Sequence, residues 1–126
     1  MAMITSVHAY FSAFERKDRA AWLALFAADA SLGGPAHTPA VEGQAALGEL
    51  FNGIVSLFTQ IRFEITAIHE HGPFAVAEFH LTTKANNGRT PEARGLVAFA
   101  SGPDGRFTQV AGFWDPAPVF AEALAR

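Results

Sequence analysis

Four side chains of this sequence stand out as candidates for chemistry: Tyr10, His37, Glu78 and His80. Glu78 and His80 are two residues apart in a segment of alternating polarity, so in a strand their side chains share one face. A carboxylate beside an imidazole can serve as an acid–base pair, because apolar surroundings shift the pKa values of both groups. The pair is a candidate for proton transfer if its face of the strand lines a pocket.

The hydroxyl of Tyr10 is a candidate hydrogen-bond donor to a ligand. Val7, Tyr10, Phe11 and Phe14 fall at i, i+3, i+4 and i+7, which predicts a first helix with one apolar stripe, capped by residue 5 or 6. Tyr10 then faces inward, where its ring is apolar and its tip is polar. We predict that Tyr10 is the polar anchor of a pocket.

Three other histidines fall near predicted loops and turns. His37 falls in a stretch rich in Gly and Pro, which predicts a loop. A loop at a pocket mouth often carries function, and a plain surface position is the alternative. His69 and His71 flank Glu70, and these residue types bind zinc. Neighbouring strand residues point to opposite faces and no third ligand follows from the spacing, so we interpret this segment as a solvated turn and predict no metal or other cofactor.

The composition predicts one soluble domain over residues 1–126. Half of the residues are hydrophobic, 17% are charged and 12 are Phe, so the chain can bury a large core and still line a cavity. A net charge of -3 with dispersed Lys and Arg argues against nucleic acid as a partner. No run approaches the roughly 20 apolar residues of a spanning helix, so we expect no membrane partner. The absence of Cys fits a cytoplasmic protein.

Helical periodicity predicts two further helices. Asp18 is the expected cap of a second helix that buries Trp22 and ends near 28–30, followed by a short extended piece at 31–32 and a loop. A third helix is predicted from residue 44 to about residue 59.

Alternation with a period of two predicts four long strands after the helices. They begin after residue 60 and continue at 74–84, at about 92–100 and at 106–114, joined by turns that contain Gly. A short helical or frayed tail follows at 119–124. This order predicts an α+β domain whose helices pack on one face of an antiparallel sheet.

Short motifs along nearly the whole chain carry a family resemblance. They are AYF at 9–11, LFAADASL at 25–32, VEG at 41–43, DGRF at 104–107 and FWD at 113–115. With these motifs the chain resembles the nuclear-transport-factor-2-like superfamily, in particular its SnoaL-like polyketide-cyclase and ketosteroid-isomerase branch. The resemblance implies a cone-shaped α+β fold in which three N-terminal helices pack on a curved, mainly antiparallel sheet and enclose a pocket.

The resemblance also implies which catalytic groups are kept and which are lost. Tyr10 matches the oxyanion-binding tyrosine of the isomerase branch, and Trp114 matches a pocket aromatic. The general base of that branch matches Gly34, and its second acid matches Val97. Proton abstraction beside a carbonyl needs a base within reach, so a steroid isomerase of the usual Asp-base type is not expected. The acid of limonene-type epoxide hydrolases matches Gly112.

The sequence leaves open which face of the strand at 74–84 lines the pocket. The register of the isomerase branch turns Glu78 and His80 toward the cavity, whereas hydrophobic patterning turns them outward and Phe79 inward. In the second case His37 is the remaining candidate to replace the base lost at Gly34.

Two functional hypotheses follow. In the first, the pocket takes a small apolar molecule, cyclic ones included, and the protein is a cofactor-independent isomerase, cyclase or dehydratase that uses Tyr10, His37, Glu78 and His80. In the second, the domain is a non-catalytic module that binds a ligand or dimerises. The predicted ligand-binding residues are Phe14, Trp22, Phe51, Phe58, Val97 and Trp114.

Apolar residues on both faces of the last strand predict a homodimer through the sheet, because a solvated face would be more polar. The two predicted faces are Phe107, Ala111 and Phe113 on one side and Val110, Gly112 and Trp114 on the other.

Overall fold

A curved sheet of six strands carries the helices of the protein, whose computed structural model describes residues 2–126. The elements are α1 (Met3–Arg16), α2 (Arg19–Leu23), β1 (Phe26–Gly33), β2 (Val41–Glu42), α3 (Gln44–Val55), β3 (Phe58–His71), β4 (Phe74–Ala85), β5 (Glu92–Ser101), β6 (Phe107–Phe113) and α4 (Ala117–Leu124). The predicted α+β class is confirmed, although the described chain has four helices because the segment after β6 is helical.

The sheet has the order β2-β1-β6-β5-β4-β3. Strands β3 to β6 form the predicted antiparallel meander, and β1 joins it by pairing in parallel with β6. The ladder is irregular between Ala100 and Ser101 of β5, where the register to β6 shifts. This shift places Phe107 in the core, so its predicted position beside Ala111 and Phe113 is wrong.

Helix α1 presents the predicted apolar stripe to the sheet, and its four members, Val7, Tyr10, Phe11 and Phe14, are all buried. The helix begins earlier than predicted, at Met3. The predicted cap of the second helix is confirmed, since a carboxylate oxygen of Asp18 accepts a hydrogen bond from the backbone N–H of Ala21 at 3.1 Å.

Two predicted helix ends are wrong, and both errors have the same cause. Helix α2 ends at Leu23 and β1 already begins at Phe26, which pairs with Phe107. Helix α3 ends at Val55, and Phe58 belongs to β3. Phe26 and Phe58 are buried strand residues. Each falls at the spacing that would continue the preceding helix, and one buried residue at that spacing does not distinguish a helix from a strand. Within residues 2–126, none of the helices is long and apolar enough to cross a bilayer.

Candidate functional site

A cavity of about 60 Å³ lies among α1, the end of α3, the inner face of the sheet, the loop after β1, and α4. Its wall is almost entirely apolar, and the polar groups on it come from Tyr10, His37, Thr83 and Trp114. The aromatic residues of the wall are Tyr10, Phe11, Phe14, Phe58, Phe63, Phe79, Trp114 and Phe120, and the aliphatic ones include Leu32, Ile54, Ile61, Leu81, Val97 and Val119.

Strict alternation in β4 decides which residues reach this cavity. Phe79, Leu81 and Thr83 are buried and line it, while the residues between them face outward. Glu78 is exposed and His80 is only partly buried, and neither lines the cavity. The register that turned this pair inward is therefore wrong, and hydrophobic patterning gave the correct face.

On the outer face His80 contacts a carboxylate at the surface. Its Nε2 lies 2.7 Å from a carboxylate oxygen of Glu92, a residue at the start of β5. The strand register places His80 between Glu64 of β3 and Arg94 of β5. The imidazole thus lies in a row of polar residues on the outer face and has no contact with the cavity.

Tyr10 lies at the centre of the aromatic core and is one of the residues that line the cavity. Its ring packs against Phe11 and Phe99, each with centroids at 5.2 Å, and it is 6% exposed. Within residues 2–126, no group hydrogen-bonds to the hydroxyl, whereas the other buried hydroxyl on the wall, that of Thr83, donates to the Pro91 carbonyl at 2.7 Å. Burial raises the pKa of Tyr10 above its ordinary value of 10.0, so the phenol is a neutral donor at physiological pH.

His37 is the predicted loop residue that does reach the cavity. Its loop is fixed to the end of the sheet, because the Ala36 N–H donates to the Gly112 carbonyl and the His37 N–H donates to the Gly34 carbonyl, both at 3.1 Å. Desolvation lowers the pKa of His37 below its ordinary value of 6.5, so the imidazole is mainly neutral near pH 7. A neutral imidazole can accept a proton, which makes His37 the one candidate base among the described lining residues.

Trp114 lies on the cavity wall as the resemblance implied, and a glycine makes its position possible. Its ring meets Phe79 edge to face at 5.8 Å. A Cβ atom at Gly95 would lie 2.4 Å from the Trp114 Cβ, so a side chain at Gly95 would push the indole away. Sequence reasoning did not use Gly95, although an isolated Gly inside a strand is a signal of close approach.

The predicted ligand-binding residues divide into two groups. Phe14, Phe58, Val97 and Trp114 line the cavity, in agreement with the prediction of their position. Trp22 and Phe51 do not line it; both are fully buried behind Phe14, with ring centroids 5.3 Å and 4.9 Å from that ring. Both side chains face inward, as their helical spacing predicts, but they pack in the core behind the cavity wall.

Gly34 and Val97, which match the two acids of the isomerase branch, lie in different surroundings. Gly34 has φ +82°, and a Cβ atom there would lie 2.6 Å from the Gly112 carbonyl oxygen, so any side chain at this position requires the backbone to move. Val97 faces the cavity and is buried, and it presents only an apolar surface.

His69, Glu70 and His71 are all exposed at the end of β3, and none of them lines the cavity. Within residues 2–126, His, Asp and Glu side chains do not gather in a group of three that could hold a metal ion.

Known structures share this fold. An NTF2-like protein of unknown function from Burkholderia pseudomallei matches with a TM-score of 0.83 at 19% identity, covering 99% of this chain and 100% of its own. The Delta 5-3-ketosteroid isomerase from Mycobacterium sp. has a TM-score of 0.78 at 22% identity, covering 91% and 94%. RV0760c from Mycobacterium tuberculosis, in complex with estradiol-17beta-hemisuccinate, has a TM-score of 0.78 at 19% identity, covering 90% and 93%.

A comparison with curated proteins finds no match. The model of the SnoaL-like domain family matches residues 7–110, which include most of α1, the meander up to the middle of β6 and most of the cavity wall. The chain therefore belongs to the SnoaL-like domain family and has a nuclear-transport-factor-2-like fold.

Proposed function

We propose that the protein binds a small, uncharged, mainly apolar molecule in the cavity and holds it by one hydrogen bond from Tyr10. The observation that carries this proposal is Tyr10, a residue of the apolar cavity wall whose buried hydroxyl has no hydrogen-bond partner within residues 2–126. A polar group in an apolar site is costly when it is unpaired, so a ligand that accepts its hydrogen bond gains affinity.

The charge of the wall restricts the ligand class. The described lining residues include no Asp, Glu, Lys or Arg, and burial keeps both Tyr10 and His37 neutral near pH 7. An ionic ligand would lose its hydration without gaining a counter-charge. A ketone, aldehyde, ether or alcohol fits the wall better than a carboxylate or an ammonium compound.

The volume of the cavity restricts the size of the ligand. About 60 Å³ is far below the roughly 300–1,000 Å³ of pockets for drug-sized molecules. RV0760c has been solved in complex with estradiol-17beta-hemisuccinate, whereas here a molecule of that size would have to displace part of the cavity wall. Small monocyclic or short-chain compounds are the ligands that the closed cavity favours.

A matched pair of ligands tests the role of Tyr10. Cyclohexanone and methylenecyclohexane have nearly the same shape, but only the ketone accepts a hydrogen bond. We expect Tyr10→Phe to weaken cyclohexanone binding by about 5- to 10-fold and to leave methylenecyclohexane binding unchanged, measured by ligand-dependent thermal shift and calorimetry. If both proteins discriminate between the two ligands equally, Tyr10 is not the anchor.

Catalysis is the second candidate function. The position of His37, a neutral imidazole on the cavity wall, favours it. In this proposal His37 removes a proton beside the ligand carbonyl while Tyr10 stabilises the developing oxyanion, which is the step shared by cofactor-independent isomerases, cyclases and dehydratases. Gly34 and Val97 supply no acid, so an Asp-base steroid isomerase is not proposed. Glu78 and His80 have no part in this step, because they lie on the outer face.

Deuterium exchange separates the catalytic proposal from simple binding. In D₂O the wild type should exchange the α-protons of cyclohexanone faster than buffer does, and His37→Gln should lose this acceleration while it keeps its affinity for the ketone. Exchange at the buffer rate in the wild type would leave a non-catalytic binding module as the function.

We also propose that a second copy of the chain covers the outer face of the sheet. Four large apolar side chains are exposed there: Phe74 (58%), Val76 (37%), Leu96 (39%) and Phe113 (47%). The register makes Leu96 a neighbour of Phe113 and aligns Val76 with Ala98 and Ala111, so the apolar residues form one patch. An isologous dimer would bury this patch against itself.

A further inference from the structure

We propose that α4 is the gate of the cavity and that the side-chain amide of Asn87 is its latch. The proposal rests on the proposed binding of a ligand in the cavity, and it names the part of the wall that moves when a ligand enters or when a ligand exceeds the closed volume.

Helix α4 forms one wall of the cavity and is held by few apolar contacts. Val119 and Phe120 line the cavity, and Ala123 is buried one turn further along. The remaining face of the helix is open to solvent, and Leu124 is 67% exposed. A helix of eight residues is not stable in isolation, so its place depends on these contacts and on its polar attachments.

The principal polar attachment is Asn87, in the turn between β4 and β5. Its Nδ2 lies 2.8 Å from the carbonyl oxygen of Glu122, 2.9 Å from that of Ala125 and 3.3 Å from that of Ala123. Carbonyls at a helix C-terminus have no partner within the helix, and the amide supplies donors to them. The second attachment, between Arg89 and Glu122, spans 3.9 Å between half-exposed side chains and contributes little.

The neighbouring residue Asn86 shows that the other helix at this end is fixed differently. Its Nδ2 donates to the Ser56 carbonyl at the end of α3, and its N–H donates to the Leu57 carbonyl. Helix α3 is also anchored in the core by Leu47 and Phe51, both fully buried. Helix α4 has less buried apolar surface, so it is the wall that opens at the lowest cost in free energy.

Asn87→Asp breaks the latch without breaking the turn. The Oδ1 of Asn87 accepts a hydrogen bond from the Arg89 N–H at 3.0 Å, and a carboxylate keeps this acceptor. Asp followed by Gly is also a favoured turn sequence. The carboxylate has no N–H to donate, and its charge faces the carbonyl oxygens of α4. Asn86→Asp is the matched control, since it makes the same change of charge in the same turn but affects the end of α3.

Amide hydrogen exchange of the protein without ligand measures how strongly Asn87 holds α4. We expect the α4 amides of Asn87→Asp to exchange about tenfold faster than in the wild type, with α1 unchanged, and we expect the α4 amides of Asn86→Asp to keep the wild-type rate. Equal exchange of α4 in Asn87→Asp and the wild type would overturn the latch. Asn87→Ser, which keeps a turn-forming oxygen, repeats the test if the first variant folds poorly.

The association rate of N-phenyl-1-naphthylamine, a neutral fluorescent probe larger than the closed cavity, reads the gate. We expect about tenfold faster association with Asn87→Asp than with the wild type in stopped-flow fluorescence. Faster exchange of α4 with an unchanged association rate would overturn the gate and leave the proposed function in place. Absence of probe binding to both proteins would also overturn the gate, whereas the proposed function stands or falls on the binding of cyclohexanone.

Discussion

The two faces of strand β4 carry different kinds of residues and serve different purposes. The inner residues Phe79, Leu81 and Thr83 are buried, and they shape the cavity. The outer residues include Phe74 and Val76, which are exposed apolar side chains, and His80, which pairs with Glu92. The most reactive side chains of this strand therefore lie on the face without the cavity, so reactivity alone is a poor guide to the site.

The same contrast holds for hydrogen bonding. On the outer face the polar groups are exposed or have partners, as in the His80–Glu92 pair. On the inner face the hydroxyl of Tyr10 has no partner within residues 2–126, and desolvation shifts the pKa values of Tyr10 and His37 toward their neutral forms. Any chemistry on the inner face therefore depends on a few neutral groups. The outer face instead presents exposed apolar side chains and exposed polar side chains.

The largest expected effect is the loss of stability on removing an inner aromatic ring. Phe79 is buried, and its ring centroid lies 5.6 Å from that of Phe63 and 5.8 Å from that of Trp114. We expect Phe79→Ala to lower the free energy of unfolding by about 3–5 kcal/mol. The outer control Phe74→Ala should cost less than about 0.5 kcal/mol in urea unfolding of the monomer, and similar losses in both variants would contradict the assignment of the faces.

The next effect concerns association through the outer face. Phe113→Lys places a charge in the apolar patch of Phe74, Val76, Leu96 and Phe113, so the dimer dissociation constant should rise by at least tenfold, about 1.4 kcal/mol or more. Asn52→Lys on the exposed side of α3 adds the same charge and should leave association unchanged. Sedimentation velocity measures both. A wild-type chain that is monomeric at micromolar concentration would sink the dimer proposal.

Much of this organisation could be predicted from the sequence. The apolar stripe of Tyr10 gave the inner face of α1, and strict alternation gave the inner face of β4, because both periods are dictated by backbone geometry. The motifs at 25–32 and 113–115 led to the family. These inferences depend on repeated patterns, in which one misplaced residue changes little.

The parts that could not be predicted depend on single contacts. The helical spacing of Phe26 and Phe58 continued past the true helix ends, because a buried strand residue can fall at the same interval. Phe107 faces the core because the register between β5 and β6 shifts next to it. The alternation of polar and apolar residues in β6 does not reveal this shift. Trp22 and Phe51 face the core as predicted, but they lie behind Phe14. Helical periodicity indicates which side of a helix is buried and does not indicate how far a side chain lies from a cavity.

A smaller effect is the change of stability at high pH that follows from the desolvation of Tyr10. The chain has one Tyr, so the near-ultraviolet absorbance of phenolate follows Tyr10 alone. Its folded pKa is raised, so above about pH 10 the unfolded state releases a proton that the folded state retains, and stability falls with pH by up to about 1.4 kcal/mol per pH unit. Tyr10→Phe should lack this component. Phenolate that forms near pH 10 before unfolding would show that the hydroxyl is solvated.

The smallest expected effect belongs to the contact between His80 and Glu92 on the outer face. His80 and Glu92 lie 2.7 Å apart, but the Glu92 side chain is 60% exposed, so a double-mutant cycle with His80→Ala and Glu92→Ala should give a coupling free energy below about 1 kcal/mol. The affinity for cyclohexanone should not change in His80→Ala, because the imidazole has no contact with the cavity. A loss of affinity as large as that of Tyr10→Phe would mean that the two faces communicate, and the outer histidine would then regain a functional role.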